Sequence, residues 1–179
     1  MLNEKTNIAL NKQIALEGNA SAAYLAMAAW CERQGLKGCA LFFYEQSAEE
    51  RMHMMKIIHY INEMDGHAVI PEQEKPRADF DSIQELFQAV LLKEKEVTAA
   101  IYDLLSISKE SDDHSTTLFL QWYVAEQREE EAQIRTILDV IKLIGSGGQS
   151  LYFIDQEVDK INKEKAKEES AEELEAENY

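Results

Sequence analysis

The sequence predicts an all-α protein, with four long helices in a bundle, one long crossover and a short fifth helix. Its 179 residues include only two prolines and seven glycines, which break helices, and many Ala, Leu, Glu, Lys and Gln residues, which favour them. Apolar residues recur at helical spacing through four long stretches. A chain of this length is most simply one domain with a sizeable core.

The charge balance and the cysteines limit the expected partners and location. A net charge of −16 disfavours nucleic acid and anionic membranes and favours cations. The N-terminal stretch is polar, and no apolar run approaches membrane-spanning length. Cys31 and Cys39 lack CxxC spacing, so we interpret them as reduced thiols. We therefore expect a cytoplasmic protein without membrane or nucleic-acid partners.

The first helix is predicted over residues 4–33, where Glu17 interrupts an apolar stripe at helical spacing. Tyr24 lies two turns further along the same face. The Gly-containing breaker at 34–38 is short. The second helix, predicted over 39–65, should therefore return antiparallel to the first.

In the second helix, Glu50 and His53 occupy positions that the pattern assigns to the core. They are three residues apart and therefore project from one helix face. Burial of a lone carboxylate costs several kcal/mol, so such a group usually has an ion-pair partner, a proton or a metal. For this pair alone, an intramolecular ion pair is the simpler interpretation.

The segment 66–80 is the one long loop and contains Pro71 and Pro76. About 15 extended residues reach roughly 50 Å, whereas a helix of about 28 residues is roughly 42 Å long. The loop can therefore carry the chain from one end of a bundle to the other. We expect this crossover to make the second and third helices parallel.

The third and fourth helices repeat the pattern of the first two. They are predicted over 81–109 and 114–144, joined by a short polar turn that makes them antiparallel. Glu94 interrupts the apolar stripe of the third helix and Glu130 that of the fourth. Each half of the chain is thus predicted to be a helical hairpin with two carboxylates at matching height.

Glycines at 145–148 end the fourth helix, and a shorter fifth helix is predicted over 149–161. The domain is therefore expected to cover 1–161. The remaining segment, 162–179, is rich in Glu, Lys and Ala with few large apolar residues. We expect an acidic tail that is frayed or disordered.

Four carboxylates at one level of a bundle need a partner that the seams do not supply. No Lys or Arg interrupts the apolar stripes beside them, and mutual repulsion would keep several carboxyls protonated. A pair of metal ions removes that penalty. Oxygen-rich ligation with one imidazole suits iron or manganese better than structural zinc, which favours thiolates.

This pattern resembles the bacterial non-haem ferritins over about residues 2–160, including the crossover and the fifth helix. The resemblance implies a ferritin-like four-helix bundle with a di-iron carboxylate centre. It implies that one iron site consists of Glu17, Glu50 and His53, and that Glu50 bridges to a second site with Glu94 and Glu130.

The resemblance also assigns residues around this centre. Gln127 matches a side chain near the oxygen-binding position of the second site. Tyr24 matches the tyrosine beside the centre, and Trp122 matches the tryptophan near it. A hydrogen bond or electron transfer from Tyr24 and simple core packing are comparable alternatives, while for Trp122 we favour packing. A third iron position is implied at Glu49, Glu126 and Glu129, together with Glu130.

Neighbouring families differ at identifiable positions. Bacterioferritins carry a second Glu-x-x-His motif on the fourth helix, where this chain has Gln127 and Glu130. Their haem-binding Met directly follows the second-helix Glu, where this chain has Arg51, so we expect no haem. Mini-ferritins have a short helix in the crossover and lack the fifth helix, whereas this crossover is broken by prolines.

The function implied is iron storage with ferroxidase activity: two Fe(II) ions are oxidised by O2 or H2O2 and stored as hydrated ferric oxide inside a 24-subunit homo-oligomeric shell. His53 should donate its second N–H to a further acceptor that the sequence does not name. Two alternatives stay open. One is a di-iron oxidase or peroxidase similar to rubrerythrin, although the four cysteines of a rubredoxin module are missing. The other is a metal-free helical interaction module.

Overall fold

The computed structural model describes residues 2–176, with side chains described as far as Lys167. This part of the chain contains five helices and no strand. The predicted all-α bundle, with its crossover and additional C-terminal helix, is confirmed. None of the described helices is long and apolar enough to cross a membrane. The helices are α1 (Glu4–Arg33), α2 (Lys37–Glu63), α3 (Ile83–Glu110), α4 (His114–Ile144) and α5 (Ser150–Ala176).

The core consists of two apolar clusters, one on each side of a polar layer. Along α1 and α4 the chain passes from the cluster containing Leu10 and Leu120 to the cluster containing Tyr24 and Ile137. Along α2 and α3 it passes in the opposite order. The helices α2 and α3 are therefore parallel to each other and antiparallel to α1 and α4, as the crossover requires.

Three helices begin with a polar side chain that accepts a hydrogen bond from the first turn, which satisfies backbone N–H groups that have no partner within the helix. Asn3 accepts from Thr6 N at 2.8 Å. Ser82 and Asp113 do the same for α3 and α4, at 3.1 and 3.0 Å. The long helices thus start at positions that the local sequence specifies.

The helix α2 has no such side chain of its own, and α5 supplies one. Leu36 precedes α2 and makes no side-chain cap. Instead, buried Asp155 of α5 accepts a hydrogen bond from Cys39 N at 2.8 Å. A Cβ atom at Gly38 would lie 2.3 Å from the Asp155 carbonyl oxygen, so the glycine permits this close approach. The fifth helix is therefore fixed against the start of α2.

The fifth helix extends beyond the end at residue 161 that the sequence analysis expected, and continues to Ala176. Its Glu, Lys and Ala residues have high helix propensity, although they form no apolar stripe. Two contacts with α2 hold its middle part, because Asn162 donates to Glu45 at 2.6 Å and Lys165 pairs with Glu49. Residues 177–179 of the expected tail lie outside the described part of the chain.

Candidate metal centre

The polar layer between the two apolar clusters contains the four carboxylates that interrupt the predicted seams. Glu17, Glu50 and Glu130 are each 1% exposed and Glu94 is fully buried. His53, on the same face of α2 as Glu50, is also 1% exposed. Each of the four bundle helices thus contributes at least one buried carboxylate at the level where the apolar stripes change from one cluster to the other.

These side chains form two groups that share Glu50. Within each group, one potential ligand atom from every residue lies within 4.8 Å of the others. The first group consists of Glu17, Glu50 and His53, and the second of Glu50, Glu94 and Glu130. The structure therefore brings together the two residue sets that the sequence analysis assigned to two neighbouring iron sites, with Glu50 common to both.

Hydrogen bonds satisfy only part of this layer. Glu17 Oε1 accepts from Gln13 Nε2 at 2.8 Å, and Glu94 accepts from the Tyr24 hydroxyl and from Gln127 Nε2, the latter at 3.0 Å. Several buried atoms have no hydrogen-bond partner among the described residues, namely Glu17 Oε2, Glu50 Oε1, both carboxylate oxygens of Glu130 and His53 Nε2. Buried polar atoms are normally paired, so this set of lone pairs fits cations that accept oxygen and imidazole ligands.

Burial also changes the acidity of the four carboxyls. It raises the pKa of Glu50 to about 7 and that of Glu94 to about 7, since removal from water disfavours the charged form. Burial raises the pKa of Glu17 well above its usual range, and the nearby Glu50 charge adds to the effect. The pKa of Glu130 is raised in the same way, first by burial and then by Glu50 and Glu94. In the absence of a cation, this layer therefore retains protons near neutral pH.

His53 is oriented by contacts on α2 and α4. Its Nδ1 lies 3.3 Å from Glu50 Oε2, and its ring packs edge-on against Trp122 at 5.2 Å between centroids. The Tyr123 hydroxyl donates to the His53 carbonyl oxygen at 2.8 Å, which fixes the backbone. The further acceptor expected for the second ring nitrogen is not found among the described residues, because Nε2 is buried without a partner.

A third group lies beside the first two and differs from the expected one. Potential ligand atoms of Glu49, His53, Glu126 and Glu130 lie within 4.8 Å of one another. Glu129, which the resemblance assigned to this position, has a side chain that is 65% exposed and lies 3.8 Å from Arg128. A ligand atom of His53 belongs to this group and none of Glu129 does, and the assignment of Glu129 to the third position stays a prediction.

Comparisons with known proteins agree with this geometry. A family model described as Ferritin-like domain matches residues 8–144. The chain belongs to the ferritin family. It is 40% identical over 161 residues to a bacterial non-heme ferritin of Campylobacter jejuni, covering 90% of this chain and 96% of that protein. A bacterial non-heme ferritin of Staphylococcus aureus is 40% identical over 158 residues, covering 88% and 95%.

Solved structures show the same relationship for the fold. An open-pore ferritin from Archaeoglobus fulgidus superimposes with a TM-score of 0.86 at 37% identity, covering 89% of this ferritin and 98% of that chain. The resemblance to bacterial non-haem ferritins predicted from the sequence is therefore confirmed. Membership of this family supports a role in iron storage.

Sequence reasoning missed one residue of this ferritin's central layer. Gln13 is 1% exposed and donates to Glu17, yet it was not singled out. It lies four residues before Glu17, which places the two side chains on one helix face. A polar residue one turn from a seam carboxylate was therefore an available signal. Gln127 lies beside the second group, since its amide nitrogen reaches both the side chain and the backbone of Glu94.

Proposed function

We propose that this ferritin stores iron and oxidises Fe(II) at the two carboxylate groups that share Glu50. The observation that carries this proposal is the set of buried, unpaired ligand atoms arranged as two adjoining groups. Iron is the substrate here, since it arrives as Fe(II) and leaves as the stored product. The anionic oxygen ligands stabilise Fe(III) more than Fe(II), so ligation itself favours oxidation.

The protein residues have distinct roles in this scheme. Glu17 and His53 hold one substrate ion, Glu94 and Glu130 the other, and Glu50 spans the two. Binding releases the protons that burial retains on these carboxyls. The two ions together supply two electrons, which with two protons reduce O2 to H2O2, or H2O2 to two molecules of water.

Two further side chains keep the second group in position. The Tyr24 hydroxyl and the Gln127 amide both donate to Glu94, one to each carboxylate oxygen. These contacts fix the carboxylate of α3 relative to α1 and α4. Tyr24 therefore acts by hydrogen bonding to a ligand, in addition to packing against Phe43 at 6.0 Å between ring centroids.

We propose a homo-oligomeric shell of 24 subunits that encloses the hydrated ferric oxide, as the family resemblance implies. Support comes from large apolar side chains that the single chain leaves exposed, which is typical of surfaces that become buried on association. Examples are Ile70 at 67%, Leu143 at 86% and Tyr152 at 64%. The net charge of −16 would concentrate Fe(II) near the shell.

We further propose a third cation position at Glu49, Glu126, Glu129 and Glu130, as the family resemblance implies, and a cytoplasmic location without haem. The third position shares Glu130 with the dinuclear centre and is supported by ligand atoms of Glu49, Glu126 and Glu130 that lie within 4.8 Å of one another. The location is supported by Cys31 and Cys39, which are buried free thiols, as expected in a reducing compartment. Arg51, at the position of the haem-binding Met of bacterioferritins, supports the absence of haem.

Aerobic addition of Fe(II) to the iron-free protein tests the proposal. The wild type should oxidise Fe(II) rapidly and form particles of shell size that retain many iron ions per chain. Glu50→Ala or His53→Ala should slow the fast phase by about tenfold or more and leave the shell assembled. Glu96→Ala is the matched control, since it removes an exposed carboxylate of α3 two positions from Glu94 and should not change the rate.

Two results would contradict specific parts of the proposal. An unchanged oxidation rate in Glu50→Ala would show that the site assignment is wrong. A wild-type protein that binds two irons per chain, forms no mineral and does not assemble would exclude storage and favour the di-iron oxidase alternative.

A further inference from the structure

The side chain of Lys165 on α5 reaches the third carboxylate group. Its Nζ lies 3.0 Å from both carboxylate oxygens of Glu49, and Gln46 donates to one of these oxygens at 2.7 Å. The lysine and glutamate side chains are only 23% and 19% exposed. An ammonium group equidistant from both oxygens occupies the position at which a metal ion would bind this carboxylate.

The same ammonium acts on the second carboxylate of the third group. The pKa of Glu126 is raised, first by burial and then by the Glu49 charge, while the charges of His53 and Lys165 oppose this shift. Lys165 therefore lies within electrostatic range of both Glu49 and Glu126. A cation that binds between these carboxylates must displace the ammonium or remain close to it.

The surroundings allow Lys165 to move while α5 stays in place. Asn162, one turn earlier, donates to Glu45 at 2.6 Å and anchors this part of α5 on α2. A groove of about 310 Å³ opens beside the ion pair and is lined by residues of α2 and α5. The lysine side chain can therefore move into this groove while Asn162 still holds α5 on α2.

The dinuclear pair is different. Its four carboxylates are Glu17, Glu50, Glu94 and Glu130, and among the described residues no Lys or Arg forms an ion pair with any of them. The one ion-pair contact that they make is between Glu50 and His53. The third group thus carries a built-in positive charge, whereas the pair leaves its charge to be balanced by protons or by substrate ions.

We propose that Lys165 is an internal counter-ion of the third carboxylate group and competes there with metal ions, so that the dinuclear pair fills before the third position. This inference rests on the proposed function, because it takes the carboxylates as cation ligands. It adds a residue that sets the order of filling. The chemistry recognised is that of a divalent or trivalent cation against an ammonium.

Zn(II) titration of iron-free shells by calorimetry tests the proposal without a redox step. Lys165→Gln should bind the third Zn(II) per chain about five- to tenfold more tightly than the wild type, with the first two unchanged. Lys163→Gln is the matched control on the same helix, since Lys163 pairs with Asp159 at 2.6 Å and its side chain is 65% exposed. It should bind like the wild type.

The outcomes separate this inference from the function on which it rests. Equal third-site affinity in Lys165→Gln and wild type, or an equal gain in Lys163→Gln, would overturn the counter-ion role. The dinuclear assignment would instead be contradicted if neither the wild type nor the lysine variants bound two Zn(II) ions tightly. It would also be contradicted if Glu50→Ala still bound both ions as tightly as the wild type.

A measurement on the wild-type protein keeps the test independent of variant folding. Acetic anhydride modifies free lysine amines, and mass spectrometry can compare acetylation of Lys165 with that of Lys163. The ratio should rise when Zn(II) exceeds two ions per chain, because the displaced ammonium becomes accessible. A ratio that stays constant through the whole titration would overturn the proposal.

Discussion

Raising the pH from 6 to 8 should destabilise the metal-free protein through Glu50 and Glu94. Burial raises the pKa of each carboxyl from 4.5 to about 7. At pH 6 both groups are mostly protonated in the folded state and ionised in the unfolded state. The folded state therefore binds more protons, and its stability falls as the pH rises through the folded pKa.

The expected size follows from these values. A carboxyl with a pKa of about 7 folded and about 4.5 unfolded loses about 1.3 kcal/mol of stabilisation between pH 6 and pH 8. The two groups together contribute about 2.5 kcal/mol. Both side chains are at most 1% exposed, so solvent does not screen the effect. The raised pKa values of Glu17 and Glu130 have the same sign and add to the loss.

Guanidinium unfolding of chelator-treated protein at pH 6 and pH 8, at one protein concentration, measures this difference. The double variant Glu50→Gln/Glu94→Gln is the control, because amides do not titrate. Between pH 6 and pH 8 its free energy of unfolding should fall by about 2.5 kcal/mol less than that of the wild type. An equal pH effect in both proteins, or a gain of wild-type stability at pH 8, would refute the reasoning. Saturating Zn(II) should reverse the wild-type trend, because metal ligands must be ionised.

Three further predictions concern α5 and the second group. Asp155→Ala removes the cap of α2 and should lower the free energy of unfolding by about 1 kcal/mol in chemical denaturation. Gly38→Ala places a Cβ 2.3 Å from a carbonyl oxygen of α5 and should cost about 1–3 kcal/mol in the same assay, whereas Gly148→Ala, which meets nothing within 4 Å, should be close to neutral. Tyr24→Phe removes the hydroxyl that donates to Glu94 and should slow Fe(II) oxidation about three- to tenfold. Two tight Zn(II) sites should be retained in this variant. An unchanged oxidation rate would mean that Tyr24 contributes by packing alone.

The fold and the central layer could be predicted because both depend on local periodicity. Each long helix has an apolar stripe, and a carboxylate within a stripe is conspicuous because burial of charge is costly. The positions of Glu17, Glu50, Glu94 and Glu130 follow from that single rule applied four times. Their role as iron ligands comes from the family resemblance and remains a prediction.

The features that were not predicted depend on contacts between distant parts of the chain. Asp155 caps α2 through Cys39, which lies 116 residues earlier in the chain, and Lys165 reaches Glu49 across the same separation. No local pattern marks either residue. The end of α5 was placed too early because a polar helix has no apolar stripe to reveal it. The assignment of Glu129 rests on the family resemblance and stays a prediction.

The position of the central layer explains why its carboxylates destabilise the metal-free protein and yet would bind a cation strongly. Apolar clusters on both sides exclude water, which raises the pKa of the carboxyls and leaves their oxygens unpaired. The same exclusion of water strengthens their interaction with a bound cation. In the third group the protein supplies its own cation, since Lys165 neutralises Glu49 at the edge of the bundle. The contrast predicts that the dinuclear pair depends on bound cations for charge balance, whereas in the third group Lys165 already balances Glu49, so that metal binds there only in exchange for an ammonium.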